Sequence, residues 1–312
     1  MLQYSIRRIV AALPLLLGAS FISFVILHLI PGDPARVLLG TQAPLAEVDA
    51  LRRQLGLDRP LLVQYVVYVG NLLHGNLGTS YLNQQTVVSE ITQQGLYTLQ
   101  LTVGALFVAL LVGVPIGLIA GTRPGSWMDR VGMSIAVLGV AVPYFWLALL
   151  CIIFFGVDLR ILPVLGTGGP SHLVLPCVSL GIGYSAFTAR LLRASLIDAY
   201  RQPFVHFSRA MGLPGSRILF RSILKYASGP VVTALGLQLG NLLSGAAATE
   251  IIFGRAGLGS LTVHAILAKD IPTVQGMILF IAAVYIVINL LVDIFKGVID
   301  PRVRLEWTEA RA

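Results

Sequence analysis

Apolar and polar positions fall in long blocks along this chain. Six stretches come close to the roughly 20 apolar residues that a helix needs to cross a bilayer. They are 9–30, 99–120, 131–157, 173–189, 230–253 and 274–291. The first has no charge, follows Arg7 and Arg8, and ends in Pro31-Gly32-Asp33-Pro34 rather than at a small-residue cleavage site. It therefore reads as a retained anchor and not as a signal peptide. The fifth is the most polar, with Gln238, Asn241, Ser244, Thr249 and Glu250 inside it. The pattern predicts an all-α, polytopic membrane protein with about six transmembrane helices.

Composition agrees. Hydrophobic residues make up 56% of the 312 and charged residues 12%, whereas soluble domains carry about 25% charge. The same figures exclude a disordered chain. Net charge is +8, and its distribution separates a membrane topology from nucleic-acid binding. With the N-terminus inside, 15 of the 22 basic residues fall on the inner side, most of them in short loops beside the apolar runs. The positive-inside rule then places both termini in the cytoplasm. Cys151 and Cys177 lie within apolar runs and form no disulfide framework.

Two polar segments are longer than turns. The outer one, 31–95, has mixed charge and a helix-like stretch at 61–73, and is expected to form a small cap. The inner one, 190–229, has seven basic residues against one acid, Asp198. Within it Pro203 suits a first helical position, and Gly212 followed by Pro214 suits a stop. Phe204, Phe207 and Met211 recur at i, i+3 and i+7, which predicts one apolar stripe on a short helix. Such a helix can lie in the lipid interface or fill a groove on a partner protein. The spacing alone leaves both open.

Here a resemblance enters. Ser208-Arg209-Ala210-Met211-Gly212 is similar to the cytoplasmic signature of permease subunits of type I ATP-binding-cassette (ABC) importers. The chain resembles in particular the branch serving dipeptides, oligopeptides and nickel. The acid that opens the general signature is missing, and the spacing from Gly212 to Pro230, which opens the next span, is long; both resemble that branch. Further matches are Leu55-Gly56-Leu57-Asp58-Arg59-Pro60, Gly75-Asn76-Leu77-Gly78-Thr79-Ser80, His172-Leu173-Val174-Leu175-Pro176, Gly257-Leu258-Gly259 and Asp270-Ile271-Pro272. Asn76 stands where the branch usually has Asp, and Ala256 replaces a customary Pro.

The resemblance implies an anchor over 1–30, an extracytoplasmic cap over 31–94, a permease core over 95–294 with its coupling loop at about 200–229, and a cytoplasmic tail over 295–312. It implies a bacterial inner-membrane subunit forming half of a pathway for peptides or nickel, and no enzyme itself. Its partners would be a second, related permease, two cytoplasmic ATPase subunits that hold ATP and Mg, and an extracytoplasmic binding protein. Phe204, Phe207, Arg209, Ala210, Met211 and Gly212 would couple the chain to an ATPase. A self-sufficient secondary transporter or channel is the alternative, and a non-transporting scaffold a third reading.

No P-loop, zinc helix or nucleophile elbow is present in the sequence, so no cofactor is expected to bind this chain through a recognisable motif. Gly181-Ile182-Gly183-Tyr184-Ser185-Ala186 fits a loose dinucleotide pattern but sits inside an apolar run, where glycine packs helices. Gly113, Gly117 and Gly121, spaced by four, predict a close helix contact in lipid, and Pro115 would weaken the helix there. Polar side chains within a membrane face a cavity, another protein surface or each other. Gln238, Asn241, Ser244 and Glu250 are thus candidates for the translocation pathway, with interhelical hydrogen bonding as the rival role. For Glu250 that rival is a partnership with Arg255. His28, His74, His172 and His264 fall on the predicted outer side in no ligand spacing, so the metal question stays open.

Overall fold

The computed structural model describes residues 2–29, 32–40 and 42–299, apart from the side chains of 2–9, 244, 245 and 295–299. Among these residues the chain is nearly all helix, with an isolated antiparallel bridge between Thr79 and Thr86. The helices are α1 (Leu2–Leu29), α2 (Pro34–Leu39), α3 (Leu45–Gln54), α4 (Leu61–Leu73), α5 (Val87–Thr122), α6 (Trp127–Ala141) and α7 (Tyr144–Cys151). They continue with α8 (Ser171–Tyr200), α9 (Pro203–Ala210), α10 (Gly215–Ile218), α11 (Leu224–Ile252), α12 (Leu258–Leu267) and α13 (Ile271–Ile299). Stretches of wider π-helix follow α7 (Ile152–Asp158) and precede α11 (Leu219–Ile223).

Four apolar helical segments are long enough to span a membrane alone: Val10–Leu29, Val87–Thr122, Ser171–Tyr200 and Ile271–Ile294. Two bent pairs bring the number to six. Trp127–Ala141 and Tyr144–Asp158 turn by 96°, and Gly215–Leu243 and Ala246–Ile252 by 45°. The third apolar run is therefore an elbow and not a rod. Pro143 supplies the cause, because it has no N–H and excludes the residue before it from the helical region. Val142 is accordingly extended, at φ −84° and ψ 120°.

Other boundaries move as well. α5 begins at Val87, so the end of the expected cap segment is already helix. α8 continues through Arg190 and Arg193 to Tyr200, because charge marks where a bilayer ends and does not stop a helix. Pro230 lies inside α11 and does not open it.

The described residues group into two compact units. One comprises Leu99–Arg255 with Ile288 onward, the other Leu2–Thr98 with Ala256–Val287. In the first, α8 packs against α6, α7 and α11 and against α5 through glycine. A Cβ added at Gly113 would lie 2.6 Å from the Ser185 carbonyl oxygen, and one at Gly117 2.7 Å from that of Ala189. Gly181 of α8 returns the contact, 2.5 Å from the Ala105 carbonyl. The four-residue spacing thus packs helices as expected, and α5 runs on through Pro115. Asp129, buried near the start of α6, accepts bonds from Arg193 Nε at 2.5 Å and Nη2 at 2.8 Å.

In the second unit the rings of Phe21 and Phe24 meet Tyr65 of α4 at centroid distances of 5.5 and 5.2 Å. Asp33 caps α2 through the Ala35 N–H and accepts from Arg52. The Gly75–Ser80 and Asp270–Pro272 motifs, far apart in sequence, form one latch. Asp270 is buried and accepts from Ser80 Oγ (2.5 Å), the Tyr81 N–H (3.0 Å) and Thr273 Oγ1 (2.9 Å). Burial and the nearby Asp270 push the Tyr81 phenol up to about 12. Glu90, also buried, accepts from Asn83 and Thr273. The α12 N-terminus is held by Thr98 Oγ1, which accepts from the Leu258 N–H at 2.7 Å.

Replacing Gly117 with Val is expected to destabilise the chain by about 1–3 kcal/mol through overpacking against α8. Gly70→Ala, in open space on α4, should stabilise it by about 0.5–1 kcal/mol. Unfolding temperatures in detergent check both. Equal midpoints for Gly117→Val and the native chain would refute the glycine contact.

Candidate functional site

Two places in the first unit gather the predicted residues. The first is α9. Pro203 begins it with φ already helical, and Gly212 ends it at φ +74°, a left-handed conformation that glycine takes without strain. The Leu213 N–H reaches the Ser208 carbonyl at 3.2 Å and the Gly212 N–H that of Arg209 at 2.9 Å. This is the paired closure that stops a helix at a glycine.

The predicted stripe of α9 divides in the structure. Phe204 is half-buried against Tyr226, with ring centroids 5.8 Å apart. Beside it Val205 is fully buried in a cluster with Leu192, Leu196 and Ala199 of α8 and with Ile218, Ile223 and Ala227. Phe207 and Met211 remain 66% and 58% exposed, in company with Arg209, Ala210 and Gly212. One side of α9 is thus anchored and the other presents bare apolar side chains. Val205 carries no weight in the i, i+3, i+7 pattern, so sequence reasoning missed the anchor.

The second place is a cavity of about 410 Å³ between the α6–α7 elbow, α8 and α11. Gln238 and Asn241 both line it. Gln238 is buried, and its Nε2 donates to Thr188 Oγ1 at 3.3 Å, which itself donates to the Tyr184 carbonyl at 3.1 Å. Lining of a cavity and interhelical bonding here fall on the same side chain. Tyr144, Tyr184 and Arg190 join the lining, and Gly139 and Gly183 leave it open. Sequence reasoning missed these three side chains. Pro143, which turns Tyr144 toward the cavity wall, was the available signal.

Ser244 lies in α11, and its side chain is outside the described residues. Glu250 does not line the cavity. It is buried at a corner where its carbonyl accepts the Arg255 N–H at 2.8 Å. Arg255 in turn reaches the carbonyls of Gly166 and His172, each at 3.4 Å. Among the described residues no three His, Cys, Asp or Glu side chains converge as a metal site, and Cys151 and Cys177 are free and buried.

Up to six apolar spans, with a cleft in the first unit where Arg190, Gln238 and Asn241 stand among mostly apolar side chains, suit a membrane permease. The chain belongs to the family of binding-protein-dependent transport system inner membrane components, whose match covers residues 113–305. The N-terminal membrane component of the same systems matches residues 1–102. Within that family it falls in the dipeptide/oligopeptide branch of type I ABC importer permeases. It is 38% identical to the glutathione transport system permease protein GsiC of Salmonella typhi, over 97% of this chain and 99% of that one. The dipeptide transport system permease protein DppB of Alkalihalophilus pseudofirmus is 36% identical, over 97% of this chain and all of its own. The fold matches the inward-facing MetNI methionine ABC transporter with a TM-score of 0.57 at 21% identity, over 68% of this chain and 96% of that one.

If the cavity is water-filled, a cysteine placed at Leu237, which lines it and is 47% exposed, should react with a charged methanethiosulfonate reagent in membrane vesicles. The native Cys151 and Cys177 should stay unmodified. Mass spectrometry reads the outcome, and an unreactive Leu237→Cys would mean that lipid fills the space.

Proposed function

We propose that this chain is the membrane half-channel of an ATP-driven importer of small peptides, and that α9 transmits the motion of a cytoplasmic ATPase. The observation that carries the reading is the two-sided build of α9. Its anchored side, through Val205 and Phe204, is continuous with the packing of α8 and α11. Its bare side offers Phe207 and Met211, which suit a groove on a partner. An exposed apolar pair at the tip of a rigid element is how a helix-in-groove contact is made. The alternative fate, lying in lipid, would leave the left-handed stop at Gly212 without a purpose.

Substrate class follows from the relatives, which are named for glutathione and for a dipeptide; neither is named for nickel. The positive-inside rule puts both termini and α9 in the cytoplasm and the segment 31–94 outside. The core over 95–294 would pair with a second, related permease so that two clefts face each other. Two ATPase subunits with ATP and Mg would bind below, and a binding protein would deliver substrate above. Closure of the ATPases on ATP would move α9, and with it the cleft wall on α8, to close the inner mouth and open the outer one. Hydrolysis would reverse the change.

Phe207→Asp should remove an apolar anchor worth about 2 kcal/mol or more, roughly thirtyfold in partner affinity. Gly212→Val should strain the helix stop by about 1–2 kcal/mol. Both variants are expected to insert normally and to lose peptide-stimulated ATP hydrolysis in proteoliposomes that contain the partner subunits. Undiminished stimulation in both would reject the role given to α9.

A further inference from the structure

We propose that a cavity in the second unit binds the free carboxylate end of a small peptide, an inference that takes its substrate class from the function proposed above. The cavity, of about 350 Å³, lies between α1, the α3–α4 region, the 76–81 segment and the start of α13. That volume is within the usual range for small-molecule sites. It is separate from the cleft that Gln238 and Asn241 line.

Its charge is one-sided. Arg53 and Arg59 line it, and no Asp or Glu does. The neighbouring Arg52 is already engaged by Asp33 at 2.5 Å and Asp49 at 2.9 Å. Arg53 donates through Nε to the Asp49 carbonyl at 3.3 Å, which leaves its terminal nitrogens for another acceptor. A guanidinium in that state suits a carboxylate, which it can bind through two parallel N–H bonds.

The cavity also contains two buried donors that lack acceptors. Tyr68 Oη and Gln275 Nε2 have no hydrogen-bond partner among the described residues, and both residues line the cavity. Gln275 is 4% exposed. Buried polar groups are nearly always bonded, and an exception calls for a missing ligand or water. Burial, reinforced by Tyr65, raises the Tyr68 phenol well above its ordinary value, so it presents a proton. Asn71 and Asn76 add amides on the same wall. Two cations, two orphaned donors and two amides match a short chain that ends in a carboxylate and contains a peptide group. They fit a purely apolar occupant poorly.

The full chain in nanodiscs of phosphatidylcholine allows the test by equilibrium dialysis. Alanyl-alanine is expected to bind, and its C-terminal amide to bind at least about tenfold more weakly. Arg53→Gln combined with Arg59→Gln should weaken alanyl-alanine by about tenfold, and Gln275→Met by about fivefold, with unfolding temperatures checked for each. Equal binding of acid and amide, or native affinity in both variants, would overturn the proposal. So would displacement by inorganic phosphate or phosphatidylglycerol as strong as by the peptide, since the occupant would then be a phosphate or a lipid headgroup. Uptake of the same dipeptide by the assembled transporter is measured in parallel. Uptake without binding at this cavity rejects the cavity alone, and binding without uptake rejects the importer reading alone.

Discussion

The first unit depends on how closely the backbones of α5 and α8 approach. Between helices in lipid there is no hydrophobic drive, and association rests on packing and hydrogen bonds. Glycine on both helices is what allows that packing: Gly113, Gly117 and Gly121 on one, Gly181 on the other. With one face of α8 fixed in this way, its other faces hold α6, α7 and α11. The same helix supplies Tyr184 and Arg190 to the cleft and Leu192, Leu196 and Ala199 to the cluster around Val205. Tyr184 and Leu196 are about 18 Å apart along a helix that rises 1.5 Å per residue. A single rod thus joins the cleft wall to the anchor of α9.

The breaks in the helices follow the same logic. A bilayer tolerates irregular backbone only where protein or a cavity covers it. The turn at Val142 and Pro143 is placed accordingly, since both residues line the cleft beside α8 and α11. A straight third span would have presented α6 and α7 as one rod. The elbow instead makes a concave wall and brings Tyr144 to it. The polar side chains of α11 need such a surface, and Gln238 has it on one side and Thr188 on the other.

The positions of the six apolar runs, the two ends of α9 and the glycine contact were legible in the sequence because each depends on local chemistry. Length of apolar run, proline and glycine punctuation and four-residue spacing act over a few turns. What escaped depends on distant partners or on competition between local signals. Arg190 and Arg193 suggested that the fourth span ends at Ala189. Helix continues to Tyr200 because Arg193 has Asp129 to meet and Leu196 has a cluster to fill. The stripe Phe204, Phe207, Met211 was correct as a periodicity, but only the packing of Tyr226 and Ile218 decides which of the three turns inward. Glu250 is buried beside Arg255, whose guanidinium reaches the Gly166 and His172 carbonyls, and no local pattern announces that long-range contact. No single-sequence signal connects Ser80 to Asp270.

That last pair bears on how the second unit is to be understood. Two buried carboxylates would be destabilising without partners, and each has them: Asp270 takes Ser80, Tyr81 and Thr273, and Glu90 takes Asn83 and Thr273. The single Thr273 hydroxyl proton lies within reach of both acids, 2.9 Å from Asp270 and 3.2 Å from Glu90, so separating the 78–90 segment from the start of α13 would expose the whole set. The cap segment in this unit is therefore built into the helices that follow it and is not a loose insertion. Tyr68 Oη and Gln275 Nε2, which have no hydrogen-bond partner among the described residues, stand out against that thoroughness. A fold that satisfies its most costly buried groups with side chains from segments nearly two hundred residues apart could have met two neutral donors by ordinary substitution. Two such donors on the wall of one cavity are better explained by an acceptor that arrives from outside the chain.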